Sequence, residues 1–303
     1  MISVIIPLYN KEKCIRKTID SILNQKGFSD FEIVVVDDGS TDNSCNIVKS
    51  IGDHRIVLYH KKNGGPASAR NYGVRMAKGE WIIFLDADDY FLSDALSCFA
   101  NIAKKNSSYS CFSANFYTES NGVRVRNSYL MTTGRCVNPF KKHLTKQFSC
   151  RTGAAMFRRD VLLDNPFDEK LRRFEDAENN FRLMRVYPFY TSSKPVMVYN
   201  QDSKEASSFR KDSSEDYLTH LVPSKGSFWE RVVMSHFYRK ACLAYPVEAK
   251  RIYNSKDFDS FWYKMAFVEV KVYLKINNLI GKMLNYGTYR SNKKNKKSIP
   301  LDK

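Results

Sequence analysis

Hydrophobic positions in the first hundred residues switch between two periods. Ile2–Ile6 is a short apolar run and reads as a strand ended by Pro7. Across residues 12–25, Cys14, Ile15, Ile19, Ile22 and Leu23 recur at helical spacing. Phe31–Val36 is a second strand, rich in β-branched residues. Residues 40–51 predict a helix carrying Cys45, Ile47 and Val48, with Ser40 or Thr41 as N-cap and Asp42 or Asn43 in its first turn. Arg55–His60 is a third strand, Pro66–Lys78 a helix and Trp81–Leu85 a fourth strand. Strands alternating with helices predict a doubly wound α/β sheet, and near-continuous apolar strands predict helices on both of its faces.

Beyond residue 100 the pattern is mixed. Ser110–Thr118, Arg124–Tyr129 and Gly153–Phe157 read as strands and Asp176–Val186 as a helix. From about residue 215 the chain turns mostly helical and basic. Lys264, Lys271, Lys275 and Lys282 are spaced to form one stripe on a helix, with Trp262 and Met265 away from it and Phe261 and Val268 nearer its edge. Such a helix either lies on an anionic membrane surface or packs on the protein with its lysines solvated. Residues 290–297 form a charge run that reads as disordered.

Polar clusters follow three of the strands: Tyr9-Asn10, Asp37-Asp38 and Asp86-Ala87-Asp88. In an open α/β sheet, ligands bind beyond the carboxyl ends of the strands, so three clusters distant in sequence are one candidate site. Carboxylates two apart suit a hard divalent cation, Mn²⁺ or Mg²⁺; they equally suit an acidic loop with Asp88 or Asp89 capping the next helix. Asp-Gly at 38–39 is a turn signal, yet an aspartate there can also accept from the N3–H of uracil or thymine. Tyr9 can stack on a nucleobase or pack on the following helix.

Composition narrows the partners. With 43% hydrophobic residues among 303, the chain is neither disordered nor fibrous. The formal net charge of +17 favours nucleic acid, acidic lipid or phosphorylated small molecules, and residues 203–303 carry +10 of it. No helix-turn-helix, zinc spacing or RNA-binding aromatic motif supports nucleic acid, so none is expected as a partner. No apolar run reaches the ~18 residues of a membrane span, and the N-terminus reads as a strand rather than a signal peptide. Seven cysteines without a C-x-x-C pair argue against a disulfide framework or a zinc site and fit a reducing cytosol.

Four blocks occur in order: P-L-Y-N at 7–10, D-D-G-S-T-D at 37–42, N-G-G-P-A-S-A-R-N at 63–71 and G-E-W-I-I-F-L-D-A-D-D at 79–89. Together they resemble family 2 glycosyltransferases of the GT-A fold. The resemblance implies a Rossmann-like, mixed and mostly parallel sheet with helices on both faces, followed by a C-terminal helical extension. Its expected division is a GT-A catalytic domain over 1–212, a basic aromatic-rich helical region over 213–289 and a basic tail over 290–303. Residues 1–100 would be the nucleotide-binding half of the catalytic domain and 101–212 the acceptor half.

The same resemblance implies site residues. Pro7, Tyr9 and Asn10 would line the nucleotide pocket, with Tyr9 stacking on the base. Asp37 and Asp38 would serve base and ribose, Asp38 being favoured for the base N–H. Gly65, Arg70 and Asn71 would lie beside the ribose and diphosphate, and Asp86, Ala87 and Asp88 would form the D-x-D motif. There Asp88 is favoured for the metal, and Asp86 for the ribose or a metal-bound water. In Arg173-Phe174-Glu175-Asp176-Ala177-Glu178, Asp176 would be the general base, with Glu175 assisting; acids are also favoured at a helix N-terminus for the macrodipole alone. Many relatives place a His or Arg near the diphosphate after a final strand. Here Lys204, Arg210 and Lys211 are the candidates, or else a solvated charge run.

The activity so implied is inverting, metal-dependent transfer of one hexosyl or N-acetylhexosaminyl unit from a UDP- or dTDP-sugar to a glycan or lipid-linked glycan hydroxyl. Bacterial surface polysaccharide synthesis is the implied setting. The Q-x-x-R-W motif and membrane spans of processive synthases do not occur, which points to single additions. The implied location is cytoplasmic, with peripheral contact to an anionic membrane through 258–297; the sequence does not set the oligomeric state. A sugar nucleotidyltransferase is the rival enzyme, but its Gly-rich basic loop after the first strand is replaced here by Pro7-Leu8-Tyr9-Asn10.

Overall fold

A computed structural model describes residues 1–202, 215–221 and 226–253. The chain divides into two compact units, Met1–Tyr217 and Leu218–Lys303. The first opens with β1 (Ile2–Leu8), α1 (Ile15–Leu23), β2 (Phe31–Asp37), α2 (Ser44–Ile51), β3 (Ile56–His60), α3 (Pro66–Met76) and β4 (Trp81–Phe84). It continues with β5 (Tyr90–Phe91), α4 (Ala95–Lys105), β6 (Cys111–Ser120), β7 (Val123–Arg126), β8 (Gly134–Cys136) and α5 (Pro139–Leu144). It closes with β9 (Ala155–Arg158), α6 (Arg159–Asp164), α7 (Glu175–Val186) and β10 (Phe189–Asn200).

The strands form one sheet in the order β3-β2-β1-β4-β9-β6-β10-β5, with β7 on β6 and β8 on β10. The first four are mutually parallel. Strand β9 runs antiparallel between β4 and β6, and β10 then runs parallel to β6. The sheet is therefore mixed, with a parallel first half and an interleaved second half, which is the GT-A arrangement.

Alternation along β1 shows why both faces carry helices. Ile2, Val4, Ile6 and Leu8 are fully buried in one core with Ile15, Ile19 and Ile22 of α1 and Leu96 and Phe99 of α4. Ile5 points the other way, onto α3, where a Cβ at Gly73 would collide with its Cγ2. Only glycine lets α3 lie this close to the sheet, and that approach sets the depth of Arg70 one turn earlier.

Two predicted boundaries shift for physical reasons. Strand β1 continues through Pro7, which pairs in register with Val36. Ile2 N–H bonds toward β2, at Asp30 O, so by alternation the nitrogen of Pro7 faces the β4 side. The β1–β4 pairing ends at Ile5–Phe84, and no ladder bond is lost there. Helix α2 begins at Ser44 with Asn43 as N-cap, not at Ser40 or Thr41. The amides of residues 40 and 41 are taken instead by Asp37 Oδ1 and Asn10 Oδ1, which hold 37–43 as a loop.

In the second unit, α8 (Phe228–Ala244) is capped by Ser227, whose Oγ accepts from Glu230 N. Tyr238 is fully buried and donates to Ala249 O in α9 (Pro246–Tyr253) at 2.8 Å. The predicted basic stripe and tail at 258–297 lie outside the described residues. Among the described residues, no helix is long and apolar enough to cross a membrane.

Candidate active site

A cleft of about 930 Å³ opens beyond the carboxyl ends of the parallel strands. Its first wall is the segment after β1: Pro7, Tyr9, Asn10 and Lys11. Asn10 adopts a left-handed φ of 50°, and its Oδ1 accepts from Thr41 N at 2.8 Å, which ties this wall to the loop after β2. Tyr9 is 40% exposed, so its ring is available to a ligand rather than packed on α1.

Asp38 is the second element. Its carboxylate accepts from Lys61 Nζ (2.7 Å), Gly64 N (2.9 Å) and Gly65 N (2.7 Å). These bonds pin the turn before α3, where Gly65 takes a φ of 88° and Pro66 starts the helix. Asp38 and Gly65 both line the cleft. Asp37 does not: its oxygens take Ser40 N and His60 Nδ1, on the far side of the same loop. Asn71 is also absent from the walls, because its amide is spent on Phe167 N, Phe167 O and Glu169 Oε1. Its role is to clamp α3 to the segment before α7.

Arg70 organises the middle of the cleft. It is buried, and it donates to Glu175 Oε1 at 2.7 Å and to Asp86 Oδ1 at 2.9 Å. Burial works against its charge, but Asp86, Glu175 and Asp176 outweigh it and push its pKa up. Glu175 is itself raised, first by burial and then by the charge of Asp176, against the pull of Arg70. Asp86, Ala87 and Asp88 follow β4 into the cleft. Asp88 Oδ2 pairs with Lys11 Nζ at 3.0 Å.

Each of the two carboxylates keeps one oxygen outside these ion pairs: Oδ2 of Asp86 and Oδ1 of Asp88. Two hard carboxylate oxygens on one open wall fit a divalent cation of the Mn²⁺ or Mg²⁺ type, which completes its shell with water and ligand phosphate. Neither aspartate caps the next helix; the N-cap of α4 is Asp94.

On the opposite wall, Phe174 takes a left-handed φ of 57° and turns the chain sharply into α7. Glu175 and Asp176 thus occupy its first turn, one tied to Arg70 and the other at the cleft. Asp176 Oδ1 accepts from Ala177 N at 2.8 Å, which orients the carboxylate. Glu178 is not a solvated acid: it pairs with Arg182 one turn on, at 2.7 Å.

Several wall residues were not singled out by sequence reasoning. Arg151 lies 3.4 Å over the Tyr199 ring, and both residues line the cleft with Asn200 and Gln201. Arg172 pairs with Glu215 at 3.1 Å and Arg173 with Asp216 at 3.3 Å. Behind the wall, Asp89, a helix-cap candidate from sequence, is instead fully buried, accepts from Asn200 N and is pushed well above the usual carboxylate range by burial, Asp86 and Asp88. Only tertiary structure brings these together; Arg151 sits in no local motif. Lys204, Arg210 and Lys211 lie outside the described residues.

The profile of the family described as Glycosyl transferase family 2 matches residues 3–164, more than half of the chain and every strand that carries the cleft's first wall. The chain belongs to glycosyl transferase family 2. Among curated relatives, the uncharacterized glycosyltransferase EpsJ of Bacillus subtilis (strain 168) is 32% identical over 195 residues, 61% of this chain and 56% of EpsJ. The poly(ribitol-phosphate) beta-glucosyltransferase of Bacillus spizizenii is 43% identical over 112 residues, 35% of this chain and 18% of that one. The alignments thus span less than two thirds of the length of either relative. Among solved structures, residues 1–349 of S. aureus TarS in complex with UDP-GlcNAc superpose with a TM-score of 0.65 at 22% identity, covering 89% of this chain and 79% of that one. That likeness shows the shared fold.

Proposed function

We propose that this family 2 protein is an inverting glycosyltransferase that moves one sugar from a UDP- or dTDP-sugar to a hydroxyl of a glycan acceptor. The observation that carries the reading is the Arg70 bridge, which fixes the Asp86–Asp88 wall and the Glu175–Asp176 wall across one cleft. In this reading Tyr9 stacks on the base. Asp38 has three of its roughly four acceptor positions filled and offers the remaining one to the base N3–H. A divalent cation held by Asp88 with Asp86 would offset charge on the departing diphosphate.

Asp176 takes the proton of the acceptor hydroxyl as that oxygen attacks the anomeric carbon from the side opposite the leaving group. One displacement inverts the centre and needs no nucleophilic side chain. Glu175, locked to Arg70, holds the first turn of α7 in place and does not itself titrate in the step. The named activity of the Bacillus spizizenii relative, glucosyl transfer to poly(ribitol-phosphate), supports a hydroxyl-bearing polymer as the acceptor class. The lysine-rich sequence of residues 258–297 supports work at an anionic membrane face.

A thermal-shift panel of nucleotide sugars with Mn²⁺ tests the donor, because a ligand that binds only the native state raises its melting point. UDP- or dTDP-sugars should stand out from GDP- and CMP-sugars. A flat panel, or a GDP-sugar optimum, contradicts the donor assignment.

A further inference from the structure

Asp37, excluded from the cleft, faces a second cluster on the outer side of the same loop. Asp37 ends β2, Cys45 lies in the first turn of α2, and His60 ends β3. His60 Nδ1 is 3.2 Å from Asp37 Oδ2 and 3.9 Å from Cys45 Sγ, and the three donor atoms all lie within 4.8 Å of one another.

We propose that Asp37, Cys45 and His60 form a zinc-class cation site, separate from the donor cleft; the cysteine spacing argued against zinc because this group takes one cysteine and is assembled from three elements. The case is geometric and chemical. Zinc bonds of about 2.0–2.3 Å in a tetrahedron place neighbouring ligand atoms roughly 3.3–3.6 Å apart. The spacings of 3.2 and 3.9 Å reach that range with adjustments of a few tenths of an ångström. A thiolate, an imidazole and a carboxylate form a borderline-soft set, which selects zinc over the Mn²⁺ or Mg²⁺ suited to Asp86 and Asp88. The carboxylate is already aimed: Ser40 N donates to Asp37 Oδ1 at 3.1 Å, which leaves Oδ2 for the cluster. The His60 side chain is 50% exposed, so a fourth position opens to water.

Binding releases one proton. Without a cation, the Cys45 thiol is pushed up to about 11, by burial and then by the Asp37 carboxylate. With the cation, Cys45 binds as thiolate and its proton goes to solvent, while His60 carries its proton on Nε2 and ligates through Nδ1. The bound ion would join β2, α2 and β3 beside Asp38, whose carboxylate holds the Gly64–Gly65 turn of the cleft.

The test is a Co²⁺ titration of the metal-free full chain, read by the thiolate-to-cobalt charge-transfer band in the near ultraviolet, followed by displacement with Zn²⁺. The expected result is a saturable band that Zn²⁺ abolishes. Cys45→Ala should lose it, His60→Ala should weaken Co²⁺ roughly tenfold or more, and Asp88→Ala should keep it intact. His60 is half exposed, so its variant retains the fold. No band in the wild type, a band that survives Cys45→Ala, or unchanged affinity in His60→Ala would overturn the proposal.

Discussion

Arg70 and Glu175, 105 residues apart in the chain, form a buried 2.7 Å ion pair that fastens the start of α7 to α3. The second Arg70 amino group reaches Asp86 at 2.9 Å. One cation thereby neutralises acids on both walls of the cleft. Arg70→Ala leaves those acids uncompensated, and it should destabilise the fold by about 3–5 kcal/mol in urea unfolding. Arg70→Lys cannot fork to both partners and should lie between the wild type and Arg70→Ala. Equal stability of all three would show that the pair only decorates the cleft.

Asp176→Asn preserves shape and removes the carboxylate proposed as the base. Transfer should fall about 10²–10⁴-fold, while UDP affinity stays within about twofold of the wild type. A variant that transfers sugar at near the normal rate would reassign the base to another acid. The parallel change Glu175→Gln should instead act through stability, because Glu175 is engaged with Arg70.

How much of this could be read from the chain alone depends on whether a signal is local. The β1 to β4 succession and the clusters at Tyr9, Asp38 and Asp86–Asp88 were legible, because strand periodicity and strand-end chemistry are written in consecutive residues. Helix α4 has no counterpart among the predicted elements, and β10 is interrupted by register shifts around Pro195 that break its alternation. Asp37 and Asn71 lie off the cleft walls for a different reason. Both sit in motifs that reach the cleft, but their side chains turn to His60 and to Phe167, contacts set by residues 23 and 96 positions away. Arg151 and Asp89 acquire meaning only from their neighbours across the sheet.

Gly73 carries the close approach of α3 to β1. Gly73→Ala drives a methyl into Ile5 Cγ2 and should cost about 1–3 kcal/mol. Combining it with Ile5→Ala, which removes that carbon, should give a smaller loss than the two single changes added together. Strict additivity in the double-mutant cycle would place the collision elsewhere.

Asp37 sets an acid-side dependence of stability. Burial raises its carboxyl, but hydrogen bonds from Ser40 and His60 outweigh that and hold it below its ordinary value. The folded carboxyl therefore ionises at lower pH than the unfolded one, near 3.9. The stabilisation is complete above that value and is lost as pH falls through the folded pKa. The stability gap between wild type and Asp37→Asn should accordingly hold level from pH 6 down to about pH 4 and shrink as pH falls further. A gap that stays constant would mean that shape, not ionisation, makes the contribution.

The central claim is a metal-dependent nucleotide site built on the end of β4. Calorimetric titration of UDP into the wild type and Asp88→Ala, with Mn²⁺ and again with EDTA, addresses it directly. The account predicts tight binding only for the wild type with Mn²⁺, and a loss of roughly tenfold or more on removing either the ion or the carboxylate. UDP binding that is indifferent to both Mn²⁺ and Asp88 would contradict it.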